Sequence, residues 1–121
     1  MRAGASGVRI GTRFLKSPES KITPLHRGIL DGVDERETAI TNVFTGRPAR
    51  GFVNKLVKEL GPINQNVQVF PLAVSALGPL KRASEGSEDF VSLWAGERWQ
   101  TGQSKPAGEI VRELSSAFEP V

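Results

Sequence analysis

Apolar residues recur at helical spacing in several stretches of the chain, and short β-branched runs separate them. Thr23-Pro24 offers an N-cap with proline at the first helical position, and Leu25, Ile29 and Leu30 continue at helical spacing. This predicts a surface helix that stops at Gly32. Thr38 to Phe44 is rich in β-branched residues and predicts a strand. Thr45 to Gly51 is punctuated by glycines and predicts a loop. Phe52, Val53, Leu56, Val57 and Leu60 mark one face of a helix that ends at Gly61-Pro62. A polar linker, Asn64-Gln65-Asn66, leads to an extended Val67 to Phe70, then a helix from Pro71 to Arg82 with a break at Gly78-Pro79. Glu85 to Glu88 is loop, and Phe90 to Trp94 is short and apolar, fitting either helix or strand. The last helix is the clearest. Ala107, Ile110, Val111, Leu114, Ala117 and Phe118 form one stripe, with Ser104 as the expected cap and Pro106 in the first turn.

The beginning of the chain has a different character. Met1 to Ala5 reads as the tail of a helix, Gly7-Val8-Arg9-Ile10 as a short strand ended by Gly11-Thr12, and Ser17-Pro18-Glu19-Ser20 as a turn. No partner strand precedes Gly7, so the sequence is expected to start inside a repeating helix–strand unit.

Composition narrows the chemistry. With 121 residues, 38% hydrophobic and 24% charged, the chain can form a small globular domain. No cysteine is present, which removes disulfides, thiolate metal sites and a cysteine nucleophile. A single histidine removes a multi-histidine metal centre, so no metal site is expected. No apolar stretch approaches the roughly 18 residues of a membrane span. The first residues lack the apolar run of a signal peptide, and a cytoplasmic location is expected by default.

The pI is about 9.7, and the charge is uneven. Residues 1–58 hold eleven Lys and Arg against five Asp and Glu, whereas residues 59–121 hold five against eight. A basic half suits a phosphate-bearing partner or is simply a solvated surface. No basic run reaches the blocks that mark nucleic-acid tails, so no nucleic-acid partner is expected.

The sharpest candidate lies at Gly4-Ala5-Ser6-Gly7-Val8-Arg9-Ile10-Gly11-Thr12-Arg13-Phe14. A glycine at a strand end lets backbone N–H groups approach an anion without an intervening side chain. Thr12 adds a hydroxyl, and Arg9 and Arg13 add positive charge. Parallel α/β barrels commonly hold phosphate in the loops after their last two strands. The plainer reading of Gly11 is a tight turn.

These residues, with Leu15 and Ser17-Pro18-Glu19-Ser20, resemble the last barrel strand and flavin-phosphate loop of the nitronate monooxygenases, formerly called 2-nitropropane dioxygenases. The resemblance continues through Phe44-Thr45-Gly46-Arg47-Pro48-Ala49-Arg50-Gly51, Phe70-Pro71-Leu72 and Ser92-Leu93-Trp94-Ala95-Gly96. It spans nearly the whole chain in the family's order. The first motif is shared with other flavin barrels, including the flavin-dependent enoyl-acyl carrier protein reductases. The Gly46 to Gly51 and Leu93 to Gly96 segments favour the monooxygenase.

The resemblance implies an α/β chain: a C-terminal fragment of a TIM (β/α)8 barrel, comprising its last strand and phosphate loop, plus a mostly helical small domain. Residues 1–33 would belong to the barrel, 34–104 to a substrate-side lid domain, and 105–121 to a helix docking on the barrel. It implies FMN as cofactor, with its phosphate on the backbone of Arg9, Ile10, Gly11 and Thr12. It implies alkyl nitronates and O₂ as substrates. Many members carry Gln where Arg9 stands, but backbone contacts do not depend on that side chain. Glu97 stands where the family often has Gln.

The family's general base is a histidine on an upstream strand. His26 lies in an unrelated context and reads as a partly exposed structural side chain, so no catalytic residue is expected here. Arg47 and Arg50 fit either a loop contact to an anion or packing. Trp94 and Trp99 read as core and interface anchors, and Glu85, Glu88 and Asp89 as a solvated face. A barrel of this type takes about 250 residues, so the chain is expected to be a truncated part of one. The rival to the enzyme reading is a non-catalytic remnant that holds phosphorylated ligands or nucleic acid through its basic half.

Overall fold

A computed structural model describes residues 4–118. Its helices in chain order are α1 (Thr12–Leu15), α2 (Pro24–Asp31), α3 (Lys55–Leu60), α4 (Leu72–Ala76), α5 (Gly78–Ala83) and α6 (Ala107–Ser116). Strands β1 (Thr38–Thr41) and β2 (Ala49–Phe52) lie between α2 and α3. Two compact units share the chain: Asp34–Glu97 is one, and Met1–Val33 with Arg98–Val121 is the other. No helix among the described residues is long and apolar enough to cross a membrane.

The central unit is built on an antiparallel hairpin in which Thr38 faces Phe52 and Thr41 faces Ala49. The segment Leu93–Ala95 adds to its free edge: Phe52 N–H donates to Leu93 O at 2.9 Å, and Ala95 N–H to Arg50 O at 3.3 Å. Gly51 faces Trp94 across this pairing. A Cβ on Gly51 would stand 2.9 Å from Leu93 O, so this glycine permits close approach of two strands. The sequence predicts a loop through Gly51; the structure places β2 there instead, because the glycine marks tight packing and not a turn. Phe90 to Trp94 resolves into a 3-10 turn at Glu88–Phe90 followed by that extended pairing.

At the hairpin's far side Gly46 has φ +84, and a Cβ there would meet Gln68 O and Phe70 N at 2.5 Å. Only glycine fits that backbone and that space. The Asn42 side chain clasps the backbone of Asn64: its amide donates to Asn64 O and its Oδ1 accepts from Asn64 N–H, both at 2.9 Å. The core gathers Val43, Phe44, Leu56 and Val57, flanked by Val53, Leu77, Leu80 and Trp94. Phe44 and Trp94 meet edge to face at 5.8 Å. The helix expected from Phe52 begins three residues later, since Phe52 is spent on β2 and Asn54 is the cap. Asn54 Oδ1 accepts from Val57 N–H at 3.2 Å, while its amide donates to Glu88 O and Val91 O. The helix expected after Pro71 does break at Gly78-Pro79, into α4 and α5.

In the other unit, α2 forms as its sequence predicts, with Thr23 accepting from His26 N–H at 3.2 Å and Pro24 at the first position. Its buried face is His26, Ile29 and Leu30. His26 therefore shares the i, i+3, i+4 stripe and is buried, not partly exposed as expected. Gly7–Ile10 form no strand ladder among the described residues, and Val8 is exposed. A strand needs a neighbour to take its N–H and C=O groups, and none of the described segments lies there as one. Met1 to Ala3 of the expected opening helix tail lie outside the described residues.

The terminal helix departs from its expected cap and stripe. Pro106 occupies the cap position without a side-chain bond. Ala107 N–H donates instead to the Glu19 carboxylate at 3.0 and 3.2 Å, and the Ser104 hydroxyl donates to Lys16 O at 2.7 Å. Ile110 is fully buried, Leu114 half-buried, and Val111 and Phe118 are exposed. Residues 119–121 lie outside the described residues.

Candidate functional site

The four candidate residues sit together where the chain enters α1. Arg9 and Gly11 are exposed, and Ile10 and Thr12 are half-buried. Gly11 occupies the N-cap with φ −112 and ψ −63, a conformation open to any L-residue. Its carbonyl accepts from Phe14 N–H at 2.9 Å and Leu15 N–H at 3.2 Å. A Cβ built on Gly11 would meet nothing within 4 Å. Neither backbone strain nor packing within the described chain demands glycine here, and glycine also suits the N-cap of the turn it opens. What the missing side chain leaves is open space in front of the backbone, which is what an anion approaching peptide N–H groups requires. The residues present thus fit a phosphate group.

α1 itself is a single turn of four residues and has no helical stability of its own. Its position is set by tethers to the segment 102–113. Lys16 Nζ donates to Gly102 O at 3.4 Å, and the Ser104 hydroxyl returns a bond to Lys16 O. Arg13 Nη2 pairs with Glu113, which also pairs with Lys105. Glu113 Oε1 takes the Lys105 ammonium and Oε2 the Arg13 guanidinium. The Lys105 hydrogen bond is the main cause holding the Glu113 carboxyl below its ordinary pKa, with the charges of Lys105 and Arg13 acting in the same direction. On the other side, Arg27 donates to Ser17 O and Ser20 O and fixes the turn after α1. The sequence does not show the tethering roles of Glu113 and Glu19, because their partners Arg13 and Ala107 lie 100 and 88 positions away.

The other candidates separate from this site. Arg50 Nη1 donates to Thr38 O and Oγ1 across the hairpin, a packing role. Arg47 stacks its guanidinium 4.4 Å from the Phe70 ring centre. Trp94 is packed against Phe44, and Trp99 is 1% exposed. Glu88 is paired with Arg36 at 3.1 Å, so it is not merely a solvated acid. A cavity of about 600 Å³ opens in the central unit between residues 34–37, 52–55 and 88–89. None of Arg9 to Thr12 lines it. Its mixed charges and the paired Arg36 and Glu88 give it no evident ligand chemistry.

Comparison with known proteins shows where such a chain occurs. A family model described as nitronate monooxygenase matches residues 1–117. A probable nitronate monooxygenase of Staphylococcus saprophyticus is 29% identical over 116 residues, covering 94% of this chain and 33% of that protein. One from Staphylococcus aureus strain Newman is 27% identical over 120 residues, covering 98% of this chain and 34% of the relative. Among solved structures, a nitroalkane oxidase from Streptomyces ansochromogenes superposes with a TM-score of 0.77 at 33% identity. That match covers 95% of this chain and 33% of the oxidase. The chain spans about a third of the length of each of these proteins.

Proposed function

The chain belongs to the nitronate monooxygenase family, and on that premise we propose that it carries the phosphate-binding loop of an FMN-dependent oxidoreductase acting on alkyl nitronates and O₂. In this reading residues 1–33 are the last strand, phosphate loop and following helix of a (β/α)8 barrel. Residues 34–104 are the substrate-side domain, and residues 105–121 are a helix docked on the barrel. The observation that supports the reading is Gly11, the N-cap of α1, where a Cβ would meet nothing within 4 Å and the backbone stands open to a ligand.

FMN, when bound, would supply the redox chemistry between nitronate and oxygen. The residues of this chain bind and orient. Backbone N–H groups of Arg9, Ile10, Gly11 and Thr12 would hold the phosphate. The exposed Arg9 raises the local positive potential for a dianionic group. His26 is buried in α2 beside Ile29 and Leu30 and takes no part.

The test is a nuclear magnetic resonance titration of the isotope-labelled chain with FMN, and with riboflavin, which lacks the phosphate. Amide shifts at Arg9 to Thr12 that saturate with FMN and are absent with riboflavin are expected. Equal shifts with both ligands, or shifts confined to residues 34–97, would contradict the assignment.

A further inference from the structure

We propose that Glu113 is a positioning residue for the phosphate loop: from the terminal helix it grips Arg13, the residue directly after Thr12, and couples it to Lys105. The inference rests on the reading of Arg9 to Thr12 as the FMN-phosphate loop and adds a residue about 100 positions away to that site.

The single turn α1 cannot hold its own geometry, so whatever fixes Arg13 and Lys16 fixes the carbonyl and amide directions of Gly11 and Thr12. Every side-chain tether from Arg13, Lys16 and Glu19 described above ends on the segment 102–113. Three of them act at or beyond Lys16. Glu113 acts nearest the loop. The stem of Arg13 lies against Gly102, where a Cβ would stand 3.6 Å from Arg13 Cγ. Arg13 Nε is buried without a hydrogen bond, so the guanidinium is held through Nη2 on Glu113. Removing that carboxylate leaves Arg13 without its ionic anchor, one residue from the proposed contact atoms.

Glu113 holds two cations at once, and its lowered carboxyl pKa keeps it charged in mildly acidic solution. Because these side chains are partly exposed, the network adds little to global stability. Its effect is expected in the local order of α1. A residue that merely stabilised the fold would shift the unfolding midpoint instead.

The experiment compares the full chain with Glu113→Gln at neutral pH by amide hydrogen exchange and by titration with FMN and riboflavin. Glu113→Gln is expected to exchange about threefold or more faster at Phe14 to Ser17 and to bind FMN about threefold or more weakly. Its riboflavin response and thermal midpoint are expected to stay at the parent's values, and Glu113→Asp is expected to recover part of the FMN affinity. Lys105→Gln, which removes the second cation, serves as an independent variant and is expected to shift the same readouts in the same direction. Parent-like exchange and FMN affinity in Glu113→Gln would overturn this inference while leaving the proposed function standing. Loss of the Arg9 to Thr12 shifts in the parent itself would overturn both.

Discussion

Two glycines separate what the chain needs for folding from what its proposed ligand needs. Gly46 has a positive φ and no room for a Cβ, so Gly46→Ala is expected to cost about 2 kcal/mol or more in denaturant unfolding. Gly11 has neither restriction. Gly11→Val is expected to change stability by less than about 1 kcal/mol while abolishing the FMN-induced shifts at the loop. Equal FMN response in variant and parent would remove Gly11 from the site. The sequence shows both glycines in family motifs and cannot tell them apart, because the difference lies in φ and in what stands opposite. Glu113 supplies a pH test at the same scale. Its folded pKa is lowered, so its contribution is present above the ordinary carboxylate pKa and is lost as pH falls through the lowered value. A carboxyl-detected titration is expected to show Glu113 ionising below the ordinary carboxylate range. An ordinary midpoint would contradict the ion-pair network.

Elements read from the sequence held where one local cause was enough. Thr23-Pro24 opens α2, and Gly78-Pro79 divides α4 from α5. They failed where a distant partner decides. β2 exists because β1 and Leu93–Ala95 flank it, and its Ala-Arg-Gly-Phe sequence carries no alternation to announce it. The cap of α6 is Glu19, some 88 positions upstream, and the adjacent Ser104 turns to Lys16. Asn54 caps α3 and satisfies Glu88 O and Val91 O. Asn54→Ala is therefore expected to cost about 2 kcal/mol, a lost cap plus orphaned carbonyls, and a change under about 0.5 kcal/mol would contradict that double role. On α6, Ile110→Ala is expected to cost about 2–5 kcal/mol, whereas Val111→Ala stays within about 0.5 kcal/mol. Comparable losses would mean that the exposed edge of the helix is covered in solution.

The whole molecule consists of two compact units, one interrupted in sequence by the other, and spans about a third of its matched relatives. The proposed role of its loop is accordingly a share of a larger site. The proposed phosphate loop can be put forward from the sequence because backbone chemistry needs only a glycine and a short motif. The tethers that hold that loop are not, since they arise only when residues 13–19 meet residues 102–113. The chain's one histidine is buried on α2. The most direct test is an FMN titration of this 121-residue chain followed by oxygen uptake with propyl-2-nitronate. Weak binding centred on Arg9 to Thr12, with no uptake beyond that of free FMN, is the predicted result. Stoichiometric micromolar binding with turnover would contradict it, and would mean that catalytic groups lie within these residues.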